Sequence, residues 1–189
     1  GAGIDADIAQ RFDGLAVASV MVVGTGGSTG KDPYNPGDSL GTFGVEATRL
    51  TASCGDAQTP PDPWRFDVRL SHDGRRLYWL QGGAPVAGSL DANDHTTMHS
   101  EDGRTLREAT KSPARAACAV RRTDDLETTL ENRAPAGSSS LDVRAFSGKL
   151  TYRFTIVEGS DCTDVVEAGT FATLPCEVSF ALKGSPKSK

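Results

Sequence analysis

Residues 149–184, KLTYRFTIVEGSDCTDVVEAGTFATLPCEVSFALKG, decide how the whole chain is read. In the first half Leu150, Tyr152, Phe154 and Ile156 alternate with Lys149, Thr151, Arg153 and Thr155, so successive side chains would point to opposite faces of a strand. In the second half Cys176, Val178, Phe180 and Leu182 alternate with Glu177, Ser179 and Ala181. Two polar-backed strands with one apolar face between them predict a closing antiparallel hairpin. Its loop carries Cys162 and its second strand opens on Cys176.

The same two-residue period recurs upstream. Residues 64–80 predict the clearest hairpin: Trp64, Phe66, Val68 and Leu70 face inward, Arg65, Asp67 and Arg69 face outward, and His72-Asp73-Gly74 makes the turn before RRLYWL. Residues 43–54 predict another strand, whose phase breaks at Arg49-Leu50 as a bulge would require. Residues 15–23, LAVASVMVV, read as a first strand apolar on both faces. Short strands are expected from 84 to 111, with Asp102-Gly103 turning the last two into a hairpin, and then in AACAVRRT and DLETTLEN. The segment 124–132 could begin with a capped helix, but its two Thr and the Pro135 exit favour a strand. The Gly/Pro-rich stretches 24–42 and 56–63 read as loops, and long loops in a globular domain are often binding loops.

These elements predict an all-β fold, an antiparallel up-and-down meander of about 8–10 strands closed as a β-barrel, with a β-sandwich as the alternative. In outline it resembles the lipocalin and calycin barrels, but the Gly-x-Trp signature is absent: Gly14 is followed by Leu15 and Ala16. At 189 residues one domain suffices, drawn as an arm at 1–13, a β-domain at 14–184 and a tail at 185–189.

A net charge of -5 disfavours nucleic acid as a partner, because phosphate binding needs a basic stripe. Four cysteines without CxxC spacing predict two disulfides and hence a secreted, periplasmic or cell-surface setting. Proximity in sequence favours Cys162 with Cys176 and Cys54 with Cys118. The chain opens GAGIDADIAQ with no apolar leader and contains no transmembrane run, so it reads as a form whose targeting segment has been removed.

Catalytic signatures are weak. VVGTGGSTGK lacks the first Gly and the Ser or Thr of a phosphate-binding loop, and Pro33 denies it a following helix. No G-x-S-x-G elbow occurs, and Glu101-Asp102 and Asp124-Asp125 would point to opposite faces of a strand. His95 and His99 could ligate a metal only if their segment bends, since four residues of strand separate them by roughly 13 Å. Asp91, Asn93 and Asp94, like Asp161, Asp164 and Glu167, offer calcium-type oxygens but match no EF-hand loop, so turn and capping roles are expected of them. The expectation is a monomeric, non-catalytic binding module with no cofactor and no resident metal. Its interior would hold a small hydrophobic or amphipathic ligand against Tyr78, Trp79 and Tyr152, with Arg122 or Arg153 as polar anchor. The competing expectation is a cell-surface domain that recognises protein or glycan through loops 24–42 and 56–63.

Overall fold

In a computed structural model that describes residues 36–82 and 84–188, the chain forms one eight-stranded antiparallel sheet. Its strands are β1 (Asp38–Ala52), β2 (Trp64–Asp73), β3 (Arg76–Leu80), β4 (Val86–Ser89), β5 (His95–Arg107), β8 (Cys118–Asn132), β9 (Val143–Ile156) and β10 (Cys176–Pro186). The two-residue strands β6 (Thr110–Lys111) and β7 (Ala114–Arg115) form a small hairpin between β5 and β8, and α1 (Thr163–Glu167) is a single helical turn. The expected strand at 15–23 and the loop residues 24–35 lie outside the described residues.

The order β4-β3-β2-β1-β10-β9-β8-β5 joins the first and last strands, with Ala47 opposite Leu182. Every other pair of sheet neighbours is also adjacent along the chain, with only the small hairpin intervening between β5 and β8, and the meander nearly closes into a barrel. The seam falls between β4 and β5. They share no ladder, yet a Cβ on Gly88 would strike the Thr96 hydroxyl and lie 2.8 Å from the Thr97 carbonyl oxygen. Only glycine lets those edges approach so closely.

The apolar phase of the closing hairpin is buried as expected, and from the opposite phase Thr151 and Ser179, which are register partners, are buried too. Leu150, Tyr152, Phe154, Cys176, Val178, Phe180 and Leu182 are all buried, while Ile156, at the strand end, is exposed. The bulge expected at Arg49-Leu50 is present as a register shift between Arg49 and Thr51. The turn at Asp73-Gly74 is also present, with Gly74 at φ 58. The second Asp-Gly behaves differently. Asp102 and Gly103 lie inside β5, paired straight across to Arg122 and Arg121, so the expected hairpin there is replaced by one continuous strand. Likewise AACAVRRT and DLETTLEN merge into β8, and the last strand runs past the boundary drawn at 184, with the Lys187 N–H donating to the Thr42 carbonyl at 2.9 Å.

The expected disulfide pairing is corrected: Cys54 is bonded to Cys176, and Cys118 to Cys162. Register is the reason. Ala52 pairs with Val178, so β1 and β10 carry Cys54 and Cys176 to the same place despite a sequence separation of 122. Val120 pairs with Ile156, which sets Cys118 beside the loop that leaves β9. Strand pairing outweighs nearness along the chain.

Both bonds staple loops at one end of the barrel, where β1, β5 and β9 end and β2, β8 and β10 begin. From the loop at 53–63, Gln58 is completely buried and donates through Nε2 to the Thr170 carbonyl at 2.8 Å. From the loop at 157–175, Phe171 is completely buried, its ring 5.0 Å from that of Phe154. The two loops also meet directly, the Ala172 N–H donating to the Cys54 carbonyl at 2.9 Å. At the opposite end Arg75 ties three connections together, forming an ion pair with Asp94 at 2.8 Å and donating to the carbonyls of Asp91 and Ser138.

Candidate functional site

A chain of rings crosses the interior. Phe180 contacts Trp64, Trp64 contacts Phe66, Phe66 contacts Trp79, and Trp79 on β3 reaches Phe146 on β9 with centroids 5.6 Å apart. Because β3 and β9 are four strands apart in an eight-stranded order, this last contact joins opposite walls. Phe43 then packs on Phe146 at 5.5 Å. The upper interior is occupied by side chains.

Below the rings the interior turns polar. In β8 the inward phase of Leu130, Thr128 and Leu126 continues to Asp124, Arg122 and Val120, so two opposite charges enter the barrel on one strand. Arg122 donates to both Asp124 carboxylate oxygens, at 2.7 and 3.2 Å, and its guanidinium lies 4.6 Å from the centre of the Tyr152 ring. Burial pushes the Asp124 carboxyl up from its usual range, while the Arg122 charge and hydrogen bonds pull it back. Burial likewise raises the Tyr152 phenol, whose hydroxyl donates to the Gln58 carbonyl at 3.3 Å. The plugging loop therefore caps a buried charge pair. Asp102 and Arg104 on β5 add a second pair, 3.5 Å apart, near Asp124.

Of the residues expected to hold a ligand, the structure brings Arg122 and Tyr152 together and buries Trp79 with them, its indole N–H donating to Gln81 Oε1 at 3.1 Å. Tyr78 and Arg153 point the other way. Tyr78 sits half-buried outside under the Arg76 guanidinium, and Arg153 forms an ion pair with Glu177 at 2.6 Å on the outer wall. Parity decides this: Tyr78 is one residue from the inward Trp79, and Arg153 one residue from the inward Tyr152.

The weak metal candidates are also separated in role. His95 Nδ1 meets the Thr129 hydroxyl at 3.0 Å. The two ring nitrogens of His99 face Asp125 at 2.6 Å and Glu101 at 3.1 Å, and these carboxylates raise its pKa above the ordinary imidazole value, Asp125 foremost. Among the described residues no group of three His, Cys, Asp or Glu side chains is arranged to hold a metal ion. Of the acidic loop residues expected in turn and capping roles, Asp91 and Asp161 accept from nearby backbone N–H groups, while Asp94, Asp161 and Asp164 form ion pairs. Asp91 accepts from the backbone N–H groups of Asn93 and His95, which hold its carboxyl below the usual range, and Asp164 accepts from Arg107 at 2.7 Å. The stretch 56–63 is tied to β1 as well as to the barrel end: Arg49 donates to the Pro60 carbonyl at 2.7 Å and to Asp62 through its backbone N–H.

The outer wall is a lattice of cross-strand rows. One row runs Arg65, Glu46, Lys183, Ser147, Thr129, His95 across six strands. The next runs Thr48, Ala181, Lys149, Glu127, Thr97. Small side chains in these rows leave a trough of about 330 Å³ bordered by Thr48, Ala181, Ser147, Lys149, Lys183 and Thr129. Gly148 at its base has no room for a Cβ, which would strike the Glu127 carbonyl. A wider depression of about 640 Å³ adjoins it and shares Lys183. Apart from the shared Lys183, the charges of that second depression are matched, Glu46 with Arg65 at 3.1 Å and Asp67 with Lys187 at 2.7 Å. Those of the trough are not: among the described residues neither Lys149 nor Lys183 forms an ion pair, although Glu127 and Glu46 lie opposite them in register. Alternation indicated that Lys149 faces outward, and the same period carried on from Ala181 reaches Lys183, but strand order alone sets the two beside each other, so no local pattern marked the trough.

No protein-family model, no curated protein and no solved structure matches the chain.

Proposed function

We propose that this protein is an exported, non-catalytic binding module that recognises its partner on the outer wall of the barrel, with the interior serving as scaffold. One observation carries the reading: the Trp79–Phe146 contact joins opposite walls, so an interior ligand could enter only by displacing rings that hold the sheet together. Two disulfides support the oxidising setting that export implies, and among the described residues no helix is long and apolar enough to cross a membrane. What favours an interior ligand instead is a set of buried polar atoms without a hydrogen-bond partner among the described residues, Thr96 Oγ1, Thr128 Oγ1 and Gln81 Nε2, a need that single waters would meet.

The two readings separate by linkage between binding and folding. A ligand that binds only the native state raises the melting temperature, by about 2.7 kcal/mol of stability at a hundredfold excess over Kd. Incubation with oleate, retinol and a porphyrin is expected to leave both the melting temperature and the emission of Trp64 and Trp79 unchanged. A saturable change in either would return recognition to the barrel interior.

A further inference from the structure

We propose that the trough between Lys149 and Lys183 binds an extended acidic polysaccharide; this rests on the outer-wall reading and names its ligand class. The first argument is charge. Ala181 is the register partner of Lys149, and Lys183 stands two residues further along the same strand, so the lysines are diagonal neighbours, about 7–8 Å apart at the backbone. Each has a carboxylate across from it that it does not use: Glu46 turns to Arg65 at 3.1 Å, and Glu127 makes no ion pair among the described residues. Elsewhere on this wall charges are neutralised by their neighbours, as in the sequence Glu177, Arg153, Asp125, His99. Among the described residues no carboxylate holds either ammonium group within ion-pair distance, which leaves both open to an external anion.

The second argument is what the trough can bond. Its strands are internal to the sheet, with β1, β10, β9 and β8 each paired on both sides, so no row of backbone donors and acceptors is left for an extended peptide to add to. Recognition falls to side chains: the hydroxyls of Thr48, Ser147 and Thr129, the carboxylate of Glu127 and the two ammonium groups. A sugar acid presents the matching set, hydroxyls that donate to Glu127 and carboxylate or sulfate groups that accept from lysine. Among the described residues no Phe, Tyr or Trp borders the trough, and its one ring, His95, is tied to the Thr129 hydroxyl at 3.0 Å, so a neutral sugar lacks the broad stacking platform it would need there. The trough offers only two lysines, too few for the row of phosphate contacts on which nucleic-acid binding depends.

The test uses the full chain, with polygalacturonate as a carboxylated glycan, heparin as a sulfated one, dextran as a neutral one and a single-stranded DNA oligonucleotide. Titration calorimetry is run at low and at physiological salt, alongside Lys149→Ala/Lys183→Ala and Lys149→Arg/Lys183→Arg. Binding of at least one acidic glycan is expected, weakened by salt and lowered about tenfold or more by the double alanine change, as loss of two charge contacts implies. The double arginine change should keep it, and dextran should not bind. Absence of binding to both acidic glycans, equal binding by the alanine variant, or tighter binding to DNA overturns the assignment. These results leave the outer-wall reading standing, because only a ligand held among the interior rings removes that.

Discussion

The inner and outer faces of one strand, β8, treat charge in opposite ways. Inward, Arg122 and Asp124 are nearly sealed from water, side-chain exposures 6 % and 1 %, and they hold each other with two hydrogen bonds under a plugging loop. Outward, Glu127 shares a trough with Lys149 and Lys183, and no ion pair joins it to either. A buried charge without a partner is severely destabilising, so an interior position demands compensation within the chain. An exposed charge is hydrated at little cost and can be left for another molecule. The difference marks the interior polar cluster as architecture and the outer lysines as available for recognition.

Variants that attack the architecture should have the largest effects. Chain entropy assigns about 5 kcal/mol to the closure of the 122-residue separation by Cys54–Cys176 and about 4 kcal/mol to the 44-residue separation by Cys118–Cys162. Cys54→Ser/Cys176→Ser should therefore lower the denaturation midpoint more than Cys118→Ser/Cys162→Ser does. A reversed order would mean that plugging contacts such as Phe171 on Phe154, rather than loop closure, dominate that end. Next comes Asp124→Ala, which strands the Arg122 guanidinium inside the barrel and is expected to cost about 3–5 kcal/mol by urea denaturation. A loss below about 1 kcal/mol would show that Arg122 escapes to water and that the pair is not sealed.

A smaller effect belongs to His99. Its folded pKa is raised above 6.5 by Asp125 and Glu101, so its charged form stabilises the fold fully below the unfolded value, and that contribution disappears as pH rises through the raised value. With the side chain 46 % exposed, water screens most of the attraction, and the contribution is about 1 kcal/mol or less. Comparing the native chain with His99→Gln between about pH 5 and about pH 8, the difference in melting temperature should shrink as pH rises. A difference that grows with pH would contradict the paired geometry. The smallest stability change, within about 0.5 kcal/mol, is expected for Lys149→Ala/Lys183→Ala, since among the described residues neither lysine has an ion-pair partner to lose.

How much of this was legible in the sequence follows from the range of each signal. The period of two is local, and it correctly set the inward faces of β2, β8, β9 and β10. Carried back from Leu126 it also reaches Asp124 and Arg122, a step that would have identified the buried pair without a structure. The two Asp-Gly dipeptides show the limit of turn cues. Gly74 adopts the left-handed conformation that a tight turn needs, whereas Gly103 is held extended because β8 offers an unbroken partner across it. Nothing within a few residues of position 103 carries that information. The disulfide pairing and the meeting of Lys149 with Lys183 are likewise consequences of strand order, which emerges only when β10 pairs with both β1 and β9.

The central claim is that the wall, not the interior, is where this protein recognises its partner. It is tested most directly by mapping backbone amide shifts while an acidic glycan is titrated into the full chain. The account predicts shifts concentrated at Ala181, Lys183, Ser147, Lys149 and Thr129, with the indole signals of Trp64 and Trp79 unmoved. Shifts centred on those indoles and on Tyr152, with the trough silent, would contradict it.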